Sequence, residues 1–154
     1  VPIAIPSDFT PDWTFGIRDD ELQKHVDALR SRDVDAVILL SHNGMDVDLK
    51  LAGRVTGVDV ILGGHTHDAV PQPIPVTNAG GVTLVTNAGS NGKFVAVLDL
   101  ALDKGKVKDA RYHLLPVYSE LLKPDPAMAE LIGKVRAPHV TGWSEKIATP
   151  ERLL

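Results

Sequence analysis

Val58-Asp59-Val60-Ile61-Leu62-Gly63-Gly64-His65-Thr66-His67-Asp68 is the stretch that decides the fold. A mostly apolar run ends in a Gly-Gly pair and then delivers two imidazoles one residue apart. A short apolar run bounded by glycine reads as a buried strand, and the polar loop at its exit is where an open parallel α/β sheet collects functional groups. On an extended backbone side chains alternate faces, so His65 and His67 are expected to point the same way and to converge on one metal ion or a close pair. The same layout stands upstream, where Ala36-Val37-Ile38-Leu39-Leu40 leads through Ser41 to His42. The three imidazoles are expected to meet in space.

Working outward, about 16 residues join the two apolar runs. That length suits a crossover helix, predicted from Asp46 to about Val55 through Val47, Leu51 and Val55, with Asp46 as its cap and Gly57 after its end. The strands at Asp35 to Ser41 and Val58 to Leu62 are then parallel, a βαβ unit, and buried on both faces. Upstream, an acidic start at Asp19 or Asp20 and a stripe of Leu22, Val26 and Leu29 predict a helix facing the sheet. Val1 to Gly16, with Pro2, Pro6 and Pro11, reads as an irregular entry loop. Downstream of the Pro-rich stretch Pro71 to Pro75, strands are predicted at Gly81 to Asn87, Phe94 to Leu102 and Lys106 to Val117, in antiparallel or mixed arrangement. The run from Phe94 is apolar enough to be strand-like on both faces, and Asp103-Lys104-Gly105 is a hairpin turn. A last helix has Asp125 as N-cap, Pro126 at N1 and Met128, Leu131, Ile132 and Val135 on one side, with Pro138 stopping it. Trp143 to Ala148 reads as a short strand or the start of a linker.

Composition narrows the function classes. The 154 residues are 44% hydrophobic and 23% charged, enough for one compact domain with a real core. A net charge of -4 lacks the basic footprint of a nucleic-acid binder. Without cysteine there is no thiolate metal site, disulfide or cysteine nucleophile. No apolar run approaches the roughly 20 residues that span a bilayer, so no membrane partner is expected. The chain begins Val1-Pro2-Ile3 and ends Arg152-Leu153-Leu154, and both ends read as cut from something longer.

The candidate ligands are His42, His65 and His67. His25, His113 and His139 sit in ordinary helix, strand and post-proline positions and read as structural or surface residues. Three imidazoles could hold a single zinc with an open position for water. A two-metal centre needs a bridging carboxylate and further ligands to hold ions about 3.5–4 Å apart. The nearest carboxylates, Asp46, Asp48 and Asp68, do not supply a convincing bridge. Asp68 is a candidate for hydrogen bonding to a ligand imidazole. Asn87, with Ser90, Asn91 and Gly92, could meet an anionic substrate, or could simply make a tight connection, the reading that weighs more. Asn43 could orient a ligand or substrate, or form a turn with Gly44.

Ser41-His42-Asn43-Gly44 followed by Val58 to His67 resembles the second half of the calcineurin-like metallophosphoesterase domain of the 5'-nucleotidase superfamily. Within it, Pro11 to Arg18, Ser41 to Ala52, Gly64 to Asp68 and Thr86 to Phe94 are most similar to the SoxB family, dimanganese thiosulfohydrolases of bacterial sulfur oxidation. The resemblance implies an α/β sandwich, here as a parallel βαβ unit followed by mixed or antiparallel strands and a C-terminal helix. It implies that residues 1–142 form the C-terminal half of the metallophosphoesterase domain, and that 143–154 begin a linker toward a C-terminal domain of the 5'-nucleotidase type. His42 and His65 would serve one metal and His67 the other, two divalent ions in all, manganese with zinc as the alternative. The implied reaction is hydrolysis of sulfate from a cysteine-bound thiosulfonate on a sulfur-carrier protein in the periplasm. A 5'-nucleotidase or related phosphoesterase is the alternative, and a non-catalytic partner-docking domain a second one. The superfamily's early motifs, an Asp-x-His, a Gly-Asp pair and a Gly-Asn-His, are absent from these 154 residues. The chain is therefore expected to need an N-terminal half and a C-terminal domain of the same protein, to hold one metal or none, and to be inactive by itself.

Overall fold

The computed structural model describes residues 6–143 and 145–149. The first five residues of the expected entry loop, Ser144 and residues 150–154 of the expected linker lie outside the described residues. What is described of the entry loop holds a single 3-10 turn, Ser7–Phe9. Residues Val1–Val117 and Tyr118–Leu154 form two compact units.

The first unit contains helix α1 (Asp19–Arg30), strand β1 (Ile38–Leu40), helix α2 (Met45–Arg54), and strands β2 (Val60–Gly63), β3 (Ile74–Asn78), β4 (Gly81–Asn87), β5 (Phe94–Asp103) and β6 (Lys106–Pro116). Four strands make one sheet in the order β1-β2-β4-β3. β1 and β2 are parallel, with Ile38 opposite Val60 and Leu40 opposite Leu62, so the expected βαβ unit is present. β4 is parallel to β2, placing Asn87 opposite Gly63, and β3 runs antiparallel to β4. The sheet is mixed, in an α/β fold.

The two apolar runs that look alike in sequence have different fates. β2 is internal, and Val60 and Ile61 are almost completely buried. β1 forms the sheet edge and is shorter than the expected Asp35 to Ser41; Ile38 and Leu40 are 47% and 78% exposed. Burial of β1 on both faces is thus corrected: Leu39 packs against the core, while Ile38 and Leu40, on the opposite face, are left open among the described residues. β3, where no strand is predicted, begins inside the Pro-rich stretch Pro71 to Pro75. Proline cannot donate to a ladder, but an edge strand such as β3 accommodates Pro75.

Helix α2 begins at Met45 rather than Asp46, and its buried side chains are Asp48, Leu51 and Ala52. The expected stripe holds at Leu51 and Val55, which are buried, whereas Val47 is half-buried and Asp48 takes the inward position in the first turn. On α1, Val26 is buried and Leu22 packs against the core, whereas Leu29 is exposed. Arg30 makes the inward contact instead, donating to the carbonyls of Gly57 (2.9 Å) and Val34 (3.2 Å) and pairing with the Asp59 carboxylate. Asp59 also accepts the Val37 amide at 2.7 Å, so one ion pair ties α1 to the starts of two strands. Val26, Val37, Leu51, Ala52, Val55, Val58, Ile61 and Val85 form the buried cluster. Each larger member contributes roughly 1.5–3 kcal/mol of transfer free energy.

β5 and β6 form an antiparallel hairpin. Lys104 (φ 49°) and Gly105 (φ 72°) make its two-residue turn, as expected from a glycine-containing connection that needs left-handed backbone at both positions. β5 is not buried on two faces: Phe94, Ala96, Leu98 and Leu100 are half-buried and alternate with exposed Val95, Val97 and Asp99. In the second unit, helix α3 (Pro126–Arg136) starts as expected, with the Asp125 carboxylate accepting the Met128 amide at 2.8 Å and Pro at its first turn. Pro138 follows its end. Trp143 belongs to a short helix α4 (Val140–Trp143), and Glu145 to Thr149 have no regular structure, so the described residues hold no strand there.

Candidate metal centre

Because β1, β2 and β4 are parallel, their carboxyl ends lie along one edge of the sheet, and the loops leaving them carry the predicted residues. His42 follows β1 by two residues and His65 follows β2 by two. Their rings stand edge to face, with centroids 5.1 Å apart and planes at 89°. Both, and His67, are exposed. Adjacent strand exits therefore bring His42 and His65 together.

The backbone that does this is not the extended one expected. β2 stops at Gly63, and the Thr66 amide donates to the Gly64 carbonyl at 2.9 Å, closing a three-residue turn around His65 at φ 73°. That is the rarer, strained form of the γ-turn. His67 is also left-handed, at φ 60°. The alternation that was to aim His65 and His67 at one face does not apply here. Two non-glycine residues held in this region cost about 1–3 kcal/mol each, strain that characteristically gathers at functional sites.

Close packing between the loops depends on glycine. A Cβ on Gly64 would lie 3.2 Å from His42 Cδ2 and 3.3 Å from the Ser41 carbonyl oxygen. Gly44, at φ 97°, leaves room for Thr66, whose Cγ2 would lie 2.9 Å from an added Cβ. Thr66 Oγ1 accepts the Met45 amide at 3.1 Å and donates to the Asp68 carboxylate. The first amide of α2 is thus capped from the other histidine loop. The expected cap at Asp46 is corrected: Gly44 is the N-cap residue and offers no side chain.

The other candidate residues lie around this frame. Asp68 turns its carboxylate to Thr66, and its carbonyl accepts the Gly89 amide at 2.7 Å. Asn87 is buried at the end of β4; its side-chain oxygen accepts the Gly89 amide at 3.2 Å, and its amide donates to the Gly64 carbonyl at 3.5 Å. Asn43 is exposed, with its backbone amide donating to Ser41 Oγ at 3.3 Å.

Sequence reasoning passed over Asp48 as one of three nearby carboxylates. It is completely buried, and Ser41 Oγ donates to its Oδ1. Burial pushes its carboxyl above the ordinary carboxylate range, opposed by the hydrogen bond from Ser41. The missed signal was its register: Asp48, Leu51, Ala52 and Val55 follow an i, i+3, i+4, i+7 stripe, so the charge lies on the apolar face.

Imidazoles suit divalent transition metals, and the exposed His42–His65 pair, aimed by a strained turn, fits two nitrogen donors of such a site. The set is incomplete among the described residues. Asp48 faces inward to Ser41 and Asp68 faces Thr66, and no three His, Asp or Glu groups among the described residues converge as a metal ligand set.

Known proteins share this fold. The structure of the Thermus thermophilus sulfate thiohydrolase SoxB superposes on 92% of the chain with a TM-score of 0.82 and 38% identity. A 5'-nucleotidase precursor, also from Thermus thermophilus, covers 85% with a TM-score of 0.76 and 31% identity. The chain belongs to the 5'-nucleotidase superfamily of metallophosphoesterases. Curated superfamily relatives include the snake venom 5'-nucleotidase of Naja atra, 31% identical over 132 residues. A trifunctional nucleotide phosphoesterase of Bacillus subtilis is 36% identical over 113 residues. These matches take in 76% and 71% of the chain but 25% and 8% of the two relatives, and the chain covers 25% of the SoxB chain and 29% of the nucleotidase precursor. No family model matches the chain.

Proposed function

We propose that this chain supplies the histidine side of a two-metal hydrolase centre that removes sulfate from a cysteine-bound thiosulfonate on a carrier protein. The observation that carries the reading is the edge-to-face approach of His42 and His65 at the exits of neighbouring parallel strands. The likeness to SoxB, at 38% identity over 92% of the chain, supports the sulfur substrate. His42 and His65 would hold one divalent ion and His67 the second, with manganese as the ion and zinc as its alternative. Such ions supply a water of lowered pKa and charge stabilisation for a tetrahedral oxyanion group. The work of this chain's own residues is placement. Gly64 lets His42 approach the turn, the γ-turn aims His65, and Thr66 ties its position to α2. The remaining ligands would come from parts of the protein outside this chain. A periplasmic location and a sulfur-carrier partner accompany the sulfur reading.

A 5'-nucleotidase is the second reading, favoured by the nucleotidases among the curated relatives. The complete protein, loaded with Mn²⁺, distinguishes the two when given a thiosulfonate-loaded carrier and, separately, adenosine 5'-monophosphate. Sulfate release without phosphate release is expected. Phosphate release alone transfers the assignment to the nucleotidases, and release of neither overturns the hydrolase reading.

A further inference from the structure

The completely buried Asp48 carboxylate is expensive where it stands. Its α2 neighbours on the same face, Leu51 and Ala52, are apolar core, and its Oδ2 has no hydrogen-bond partner among the described residues. An unpaired buried polar atom is destabilising, so an apolar residue here would favour stability unless the carboxylate does something else. Its contacts say what. Oδ1 accepts from Ser41 Oγ, and Ser41 Oγ in turn accepts the Asn43 amide at 3.3 Å. The two residues flanking His42 are thereby tied to one carboxylate. Oδ2 lies against the β2 exit, where a Cβ on Gly63 would come within 2.8 Å of it. Gly63 begins the Gly-Gly pair that leads to His65. Asp48 therefore sits between the two strand exits that carry the histidines.

We infer that Asp48 is a positioning residue, which acts through Ser41 to hold the His42 bend in register with the turn that presents His65. The link to catalysis rests on the hydrolase reading above; the link to His42 geometry does not. Asp48 is not assigned as a ligand, since its oxygens face Ser41 and Gly63. Outer partners of this kind commonly change metal affinity 10–100-fold when removed.

The test uses the complete protein with isotope-labelled histidine rings. In the metal-free state, the contact between the His42 and His65 rings is followed by nuclear Overhauser effects; Mn²⁺ affinity is measured separately by calorimetry. Asp48→Ala and Ser41→Ala are each expected to lose the ring contact and to weaken Mn²⁺ binding about tenfold or more. Asp48→Asn keeps an oxygen acceptor for Ser41 and is expected to retain both properties within about threefold, a rescue that mere space filling does not require. If Asp48→Ala does not fold, Ser41→Ala carries the test, because it cuts the link without opening the core. Wild-type ring contact and affinity in Ser41→Ala would overturn the inference, as would loss of the contact in Asp48→Asn equal to that in Asp48→Ala. Failure of the wild-type protein to bind Mn²⁺ would sink the hydrolase reading and leave the ring contact to decide the role of Asp48.

Discussion

Substituting Gly44 with alanine probes the point where the two histidine loops interlock. Gly44 adopts φ 97° and ψ 155°, a region open essentially to glycine, and an alanine forced there costs about 1–3 kcal/mol. The new methyl would also lie 2.9 Å from Thr66 Cγ2. Thr66 is not free to yield, since its hydroxyl accepts the Met45 amide and donates to Asp68. Overpacking of this kind adds about 1–3 kcal/mol, for a total of roughly 2–6 kcal/mol. At about 2–4 °C per kcal/mol for a chain of this size, the unfolding midpoint should fall by roughly 4–24 °C. Gly92→Ala is the control. Gly92 also has a positive φ, 67°, but nothing lies within 4 Å of its added Cβ, so only the backbone cost of about 1–2 kcal/mol applies. Thermal unfolding of both variants by circular dichroism under one set of conditions gives the comparison. A Gly44→Ala midpoint no lower than that of Gly92→Ala would refute the interlocked-loop account.

Asp48 predicts a pH dependence. Burial holds its carboxyl above the ordinary value in the fold, so the folded state binds the proton more tightly than the unfolded state. The contribution of this group to stability falls as pH rises from the ordinary carboxylate value through the raised native one, and Asp48→Asn escapes that fall. Urea unfolding across the acid range should show the Asn variant gaining on the wild type as pH rises; a constant difference would contradict the assignment. Asp59→Ala removes the shared acceptor of Arg30 and the Val37 amide and should cost about 1–3 kcal/mol in denaturant unfolding, with a loss under about 0.5 kcal/mol counting against that anchor. The 154-residue chain alone, given Mn²⁺, should hydrolyse neither a thiosulfonate nor a nucleotide, because the carboxylates among the described residues do not complete the ligand set; measurable turnover would overturn that expectation.

Much of the fold was legible because its elements carry local signals. Helix α3 announces itself through Asp125 and Pro126, and the β5–β6 turn through Lys104-Gly105, since caps and left-handed turns are decided within a few residues. β3 was not legible. A strand containing Pro75 is excluded from a sheet interior and allowed at an edge, and only the pairing with β4 reveals which position it takes. β1 shows the opposite error: its apolar run promised burial on two faces, and only the face that carries Leu39 meets the core.

His42, His65 and His67 were visible as candidates because histidine after an apolar run is a local pattern. By itself the sequence determined the parallel βαβ unit and the superfamily words around those histidines, properties set by hydrophobic periodicity and residue identity. The tertiary structure decided their geometry: a γ-turn, not strand alternation, aims His65, and Thr66 caps a helix that begins 21 residues earlier. It also gave Asp48 its meaning. A carboxylate on a helix is ordinary until packing removes its water, and then the hydroxyl that answers it, on Ser41, becomes the link between the core and the histidine beside it.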